Sequence, residues 1–245
     1  MNRFMRTELL LGHDAMEKLQ QASIAVFGLG GVGSFTAEAL ARAGIGRLLL
    51  IDKDVVDVTN INRQLIALEG TIGQAKVDVM AERIQQINPK CQVIRKKMFF
   101  EESSVNEVFA EHLDYIADAI DTISSKLLLV LEANSRGIPI ISSMGAANKL
   151  DPTKFEVLDL FETSVDPIAK VMRRELKKRG FTGPLPVVCS TETPLTPMHR
   201  YEQVVQDSDQ ATSRKIATPP ASVAFVPPVA GLILASYIVR QLVNR

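Results

Sequence analysis

Ser23-Ile-Ala-Val-Phe27-Gly28-Leu-Gly30-Gly31-Val-Gly33-Ser34 runs from an apolar stretch through a glycine-rich turn into a helix-forming segment, Ser34–Ala43. A strand, a tight turn and a helix in immediate succession make a unit suited to phosphate. Glycine has no Cβ, so the backbone can turn sharply and approach a ligand. The helix that begins there directs unbonded N–H groups and a partial positive charge at any anion in the crevice. A second apolar run, Arg47–Ile51, ends in Asp52, about 20 residues past the glycines, where a carboxylate can accept hydrogen bonds from ribose hydroxyls. A nucleotide site is expected here. The Gly28/Gly30/Gly33 spacing alone is met equally well by close helix–strand packing, and by default it belongs to nicotinamide or flavin enzymes.

Outward from this unit, apolar runs and helical patterns alternate. Helices are expected at Ala75–Ile87, Ser103–His112 and Lys126–Arg136, and strands at Cys91–Lys96, Tyr115–Ile120 and Ile138–Ser142. Such β-α-β alternation predicts an α/β fold, a doubly wound, mainly parallel sheet covered by helices on both faces. Residues 1–150 form the expected nucleotide-binding core. Residues 151–245 form an expected mixed extension packed on the same sheet, with a strand at Phe155–Asp159, a basic helix at Pro167–Arg179 and a strand at Leu185–Cys189. A polar, flexible crossover is expected over about 191–220. Ala221–Val239 is nearly free of charge, but Pro227-Pro228 divides it into an expected strand, Ala221–Val226, and an expected helix, Val229–Val243. That helix is short for a bilayer, so no membrane span is favoured.

At 245 residues the chain can bury a sizeable core. Lys+Arg and Asp+Glu are both 28, so no global field attracts nucleic acid and any such contact needs a local patch. Two cysteines, Cys91 and Cys189, are too few for a disulfide framework or a cysteine-built zinc site, and suit a reducing cytoplasm. The first 20 residues mix charge and apolarity and show no signal peptide.

After Asp52 the chain reads Asp54-Val-Val-Asp57-Val-Thr-Asn60-Ile-Asn62-Arg63-Gln64, a polar block that a dry nicotinamide slot does not need. Asn62, Arg63 and Gln64 offer amides and a guanidinium, groups suited to a polyphosphate. Lys76 opens the next helix. Asp121 follows the Tyr115–Ile120 run at the carboxyl edge of the sheet, where a carboxylate can hold Mg²⁺ against phosphates. Each has a plainer role available: Asn62 and Gln64 can satisfy loop backbone, Lys76 can be solvated, and Asp121 can cap the helix that follows. All of them at one sheet edge beside the glycine turn favour nucleoside triphosphate chemistry over hydride transfer.

Gly28-Leu-Gly-Gly-Val-Gly-Ser34, Asp52, Asn60-Ile-Asn-Arg-Gln64, Lys76, Asp121 and the N-terminal Arg3-Phe-Met-Arg6 run together resemble the ubiquitin-activating-enzyme-like (ThiF/MoeB/HesA) superfamily, across the first 150 residues. The resemblance implies a Rossmann-like fold, adenylation of a carboxylate with ATP and Mg²⁺, and a homodimer. It implies nucleotide binding by Gly28, Gly30, Gly31, Gly33, Asp52, Asp54, Asn60, Asn62 and Gln64, and phosphate contact by Arg63 and Lys76. Asp121 would place Mg²⁺, and Arg6 would reach the partner subunit's site. The implied catalytic set is Arg6, Arg63, Lys76 and Asp121, and a structural monovalent cation is a further candidate cofactor.

Ala39-Leu-Ala-Arg-Ala-Gly-Ile-Gly46, Gln74–Ile84, Tyr115–Asp121, Asp166–Leu176, Val187–Glu192 and Ser222–Pro227 resemble one branch, the tRNA threonylcarbamoyladenosine dehydratases. That resemblance implies tRNA as substrate, with an adenosine-borne threonylcarbamoyl group cyclised at the expense of ATP. A cysteine desulfurase or sulfur acceptor is a further candidate partner. Two readings compete: an adenylyltransferase for a ubiquitin-like sulfur carrier, many of which carry Cys-x-x-Cys pairs that this chain lacks, and a non-catalytic nucleotide-binding adaptor. Cys189 reads as a buried apolar residue and is left out of the catalytic set. For tRNA, Arg173-Arg174 with Lys177-Lys178-Arg179 is the densest basic surface and Arg95-Lys96-Lys97 the second, although either can be a solvated face.

Overall fold

The computed structural model describes residues 2–199 and 220–244. Its strands are β1 (Ser23–Phe27), β2 (Arg47–Ile51), β3 (Gln92–Lys96), β4 (Tyr115–Asp118), β5 (Ile140–Ser143), β6 (Phe155–Asp159) and β7 (Pro186–Ser190). They form one seven-stranded sheet in the order β3-β2-β1-β4-β5-β7-β6. All neighbours are parallel except β6, which runs antiparallel to β7. The helices are α1 (Met5–Leu11), α2 (His13–Gln21), α3 (Gly33–Ala43), α4 (Lys76–Ile87), α5 (Val105–Val108), α6 (Ile123–Ser135), α7 (Pro167–Lys178) and α8 (Val226–Leu242).

Successive side chains of a strand point to opposite faces, and in β1 and β2 both faces are apolar. Ile24, Val26, Leu48 and Leu50 pack on one side with Leu19, Leu40, Met80 and Leu234 from α2, α3, α4 and α8. Ala25, Phe27, Leu49 and Ile51 pack on the other with Val108, Leu129 and Met172 from α5, α6 and α7. This burial on both sides is why the strands read as continuous apolar runs.

Several boundaries differ from the sequence expectation, and three of them have a visible physical cause. The helix expected over Ser103–His112 is only a 3₁₀ turn, Glu102–Ser104, followed by the single turn of α5. Ser104 Oγ accepts from Glu101 N–H and donates to Glu101 O, a local alternative to helix bonding. Beyond it, the Glu111 carboxylate pairs with Arg47 and the Asp114 carboxylate accepts from Ser23 N–H, so the chain is tied to the sheet. β4 stops at Asp118, because its carboxylate turns to accept from Ile120 N–H (3.1 Å); Asp121 therefore sits in a loop three residues past the strand. Ala221–Val226 is not a strand, and the prolines do not interrupt α8. Pro227 and Pro228 lie in its first turn, where a missing N–H costs nothing. No described helix is long and apolar enough to cross a membrane. Most of the crossover expected over 191–220, from residue 200 to 219, lies outside the described residues.

The sheet's register prepares a site. Phe27 pairs with Ile51 on one side and with Asp118 on the other, and Asp118 pairs with Ser142. The segments that follow β1, β2, β4 and β5 thus leave the sheet along one edge. Between β1 and β4 the strand order reverses, the position where ligands enter open parallel sheets.

Candidate active site

A crevice of about 620 Å³ opens at that reversal. Its floor is the glycine turn. Gly28 has φ +82°, and a Cβ there would lie 2.7 Å from Ala119 O, so both its conformation and its contact with the β4 loop require glycine. Gly30 and Gly31 line the crevice. Gly33 does not. It lies beneath the turn, where a Cβ would sit 1.7 Å from Gly28 O, so its part is to let α3 close against the strand.

Asp52 lines the crevice and also anchors the turn, its Oδ2 accepting from Leu29 N–H (2.6 Å) and its Oδ1 from Asp54 N–H (2.8 Å). Burial pushes its carboxyl above the usual range. Lys76 and the two backbone donors pull against that push, and Asp54 adds to it. Lys76, the first residue of α4, is buried with Nζ 3.2 Å from Asp54 Oδ2, so a cation already faces the crevice on a carboxylate that is itself half exposed. Arg63 is steered by two acceptors, its Nη1 donating to Thr59 O (2.8 Å) and Asn62 Oδ1 (2.9 Å). Gln64 is buried on the wall, and its Oε1 has no hydrogen-bond partner among the described residues. Ser222 Oγ, also on the wall, is in the same position. An unmet amide oxygen and an unmet hydroxyl, which can donate or accept, fit a ligand that brings hydroxyl or amino groups. Asp121 is exposed at the rim and accepts from Thr122 Oγ1 (3.3 Å).

Besides Gly33, three expected residues stand outside the crevice. Asn60 is buried and caps its own 3₁₀ turn, Oδ1 accepting from Asp57 N–H (3.2 Å). Asn62 donates from Nδ2 to Ser222 O (3.1 Å), which ties the polar block to the segment before α8. Arg6 is exposed on α1, away from this chain's own crevice.

Other parts of the wall were not anticipated. Met98, Phe99 and Phe100 follow β3 along the same edge and, with Ile51 and Ile120, form an apolar slot; Lys53 Nζ lies 4.9 Å from the Phe99 ring centre. Their position after a strand was the only available signal. Ser143–Ala147, Ile168 and Pro227 complete the lining. Two fully buried ion pairs stand behind it. Lys126 Nζ donates to Asp118 Oδ2 (2.8 Å) and Ser142 Oγ (3.0 Å), and Ser142 Oγ donates to the same Oδ2 (2.5 Å). Lys149 Nζ pairs with Asp166 Oδ2 (2.9 Å) and donates to Gly145 O, while Asp166 Oδ1 caps α7.

The crevice thus has an apolar slot, a cationic flank of Arg63, Lys76 and the α3 N-terminus, and a carboxylate at its mouth. A nucleotide's base, phosphates and counter-ion have these three complementary needs. Cys189 is buried, and burial pushes its thiol up to about 11, so it offers no thiolate nucleophile near neutrality.

Residues 2–245 match the profile of the ThiF family. A Bacillus subtilis protein named tRNA threonylcarbamoyladenosine dehydratase is 50% identical over 244 residues, spanning 100% of this chain and 96% of that relative. The solved structure of Escherichia coli tRNA N6-threonylcarbamoyladenosine dehydratase in complex with ATP superposes with a TM-score of 0.86 at 35% identity, covering 99% of this chain and 94% of that one. Escherichia coli molybdopterin-synthase adenylyltransferase is more distant, 30% identical over 153 residues, 62% of this chain and 60% of that protein.

Proposed function

The chain belongs to the ThiF family, and from that premise we propose that it is an ATP-dependent tRNA threonylcarbamoyladenosine dehydratase. The observation that carries this reading is similarity to a dehydratase along the whole chain, whereas similarity to the carrier adenylyltransferase covers 62% of it. In the reaction, a carboxylate oxygen of the threonylcarbamoyl group attacks the α-phosphorus of ATP. The bond to pyrophosphate breaks and an acyl adenylate forms. An atom of the same side group then attacks the activated carbonyl carbon, and AMP leaves with the oxygen that the carboxylate has lost. The second step needs no protein nucleophile. A side chain held bent in the crevice gains a high effective concentration at its own carbonyl.

The first step brings two anions together, so it depends on positive charge placed in advance. Arg63, Lys76 and the N–H groups opening α3 would surround the phosphates, and Asp52 would meet the ribose hydroxyls. On nucleotide binding, Lys76 would exchange part of its contact with Asp54 for phosphate oxygen. No cluster of three His, Cys, Asp or Glu side chains able to hold a metal occurs among the described residues. A lone rim carboxylate such as Asp121 nevertheless fits Mg²⁺, which is commonly held by one or two carboxylates together with substrate phosphates. When bound, the metal would neutralise charge on the phosphates.

Homodimer formation is part of the same proposal. Arg6 can serve only a crevice that is not its own, and Met5 and Leu9 beside it expose apolar side chains. The reading places the protein with tRNA in the cytoplasm. It routes no sulfur transfer through Cys91 or Cys189, both buried, so any desulfurase partner would have to act elsewhere.

The test is incubation of purified protein with ATP and tRNA carrying threonylcarbamoyladenosine, followed by mass analysis of nucleosides. The expected product is lighter by one water, and AMP and pyrophosphate appear with it. Pyrophosphate exchange stimulated by a sulfur-carrier protein and not by this tRNA would overturn the reading.

A further inference from the structure

We propose that the exposed ridge of α7 is the surface that holds the stem phosphates of the tRNA whose modified adenosine enters the crevice. The inference rests on the dehydratase reading and adds where the rest of the polyanion lies.

The ridge has a defined geometry. Ala169, Met172 and Leu176 of α7 are fully buried. Lys170, Arg174, Lys177 and Lys178 are exposed at spacing i, i+4, i+7, i+8, a stripe opposite the buried one. From Lys170 to Lys178 it extends about 12 Å at ~1.5 Å per residue, the rise of several nucleotides at ~3.4 Å per strand step. Arg173 and Arg179 flank it. Arg173 is fixed on Thr163 Oγ1, and Lys177 lies over the Phe161 ring (5.5 Å to its centre).

Its charge is little compensated. Glu175 alone is shared by Arg174 (2.9 Å), Lys178 (3.1 Å) and Arg179 (3.2 Å), and these three cations hold its carboxyl down at about 2. Lys170, Arg173 and Lys177 have no carboxylate partner among the described residues. In a chain of zero net charge, six cations of which only three share an ion pair, all with Glu175, among the described residues make a local field. The other basic run lacks this excess, since Arg95 is paired with Asp78 (3.1 Å) and Lys96 with Glu107 (2.7 Å).

The ridge is also continuous with the site. Ile168, in the first turn of α7, lines the crevice, and Asp166, which caps that turn, holds Lys149 on the Gly145 carbonyl of the crevice wall. A nucleic acid with one nucleotide in the crevice would have neighbouring phosphates within reach of Lys170 and its successors.

The test compares the full-length protein with K170E/R174E/K178E, with the neutral K170Q/R174Q/K178Q in case reversal impairs folding, and with E175Q. Binding of tRNA carrying threonylcarbamoyladenosine is measured against salt, beside ATP binding and a melting curve. The triple variants should bind tRNA at least about tenfold more weakly and lose about three from the log–log salt slope, one for each cation removed, with ATP binding unchanged. E175Q should bind tRNA more tightly than the parent. Parental affinity and slope in the triple variants, while the parent still makes the dehydrated nucleoside, would overturn the ridge and leave the dehydratase reading standing. A parent that makes no such product overturns both. Dependence on these residues for anionic vesicles but not for tRNA would assign the face to a lipid surface and overturn the proposal.

Discussion

Lys126→Met removes the cation buried with Asp118. Both side chains are fully inaccessible, and Lys126 Nζ bridges Asp118 Oδ2 and Ser142 Oγ at 2.8 and 3.0 Å. Without it, a carboxylate remains in a solvent-free layer with one hydroxyl and one backbone N–H as donors. Breaking a buried pair from one side costs about 3–5 kcal/mol. In a chain of this size each kcal/mol shifts Tm by about 2–4 °C, so the variant should melt about 6–20 °C below the parent. Asp118 also holds Ile120 N–H, so the loop carrying Asp121 should loosen and ATP should bind more weakly. Asp118→Asn/Lys126→Met keeps an acceptor for Ile120 and a donor for Ser142 without the orphan charge, and should recover at least half of the lost Tm. Thermal unfolding by circular dichroism and calorimetric ATP titration read both effects. A single variant within about 3 °C of the parent, or a double variant no better than the single, would refute the reasoning.

Gly33→Ala places a Cβ 1.7 Å from Gly28 O and should abolish ATP binding in titration, whereas Gly30→Ala, whose Cβ would meet nothing nearer than Gln64 Nε2 at 3.8 Å, should melt with the parent. Cys91 and Cys189 are buried with thiols pushed up to about 11, so both should resist alkylation in the native protein at neutral pH and react once it is unfolded, counted by intact mass. The raised carboxyl of Asp52 binds its proton more tightly in the folded state than in the unfolded one. Nucleotide-free protein should therefore lose stability as pH rises from the ordinary value of 3.8 through the raised one, and Asp52→Asn should flatten that part of the denaturation profile.

How much of this was legible in sequence follows from how local each cause is. The glycine turn, Asp52 and Lys76 lie within or beside one strand–turn–helix unit, and strands buried on both faces announce themselves as apolar runs. Lys126 could not be read: a lysine early in a helix is ordinarily solvated, and only the sheet brings Asp118 and Ser142 beneath it. The apolar slot of Met98–Phe100 was missed because a loop of large apolar residues carries no period. The Pro227-Pro228 pair reads as a break between a strand and a helix, yet in the first turn of a helix a missing N–H breaks nothing, and α8 begins there packed on α3. Asn60 and Asn62 carried the right chemistry for a ligand, but their bonds go to the backbone that shapes the loop.

Pro227 stands against Gly31, where an added Cβ would meet its ring at 2.9 Å, and Thr36 donates to Gly231 O (3.1 Å) from the helix that follows the turn. A helix far downstream in the chain is therefore part of the wall begun by the glycine turn. During synthesis a nascent chain can lay down most of its parallel sheet while the crevice still lacks this side. Competence to capture ATP should arrive late and abruptly, so that chains stalled before residue 226 neither sequester nucleotide nor release activated intermediates.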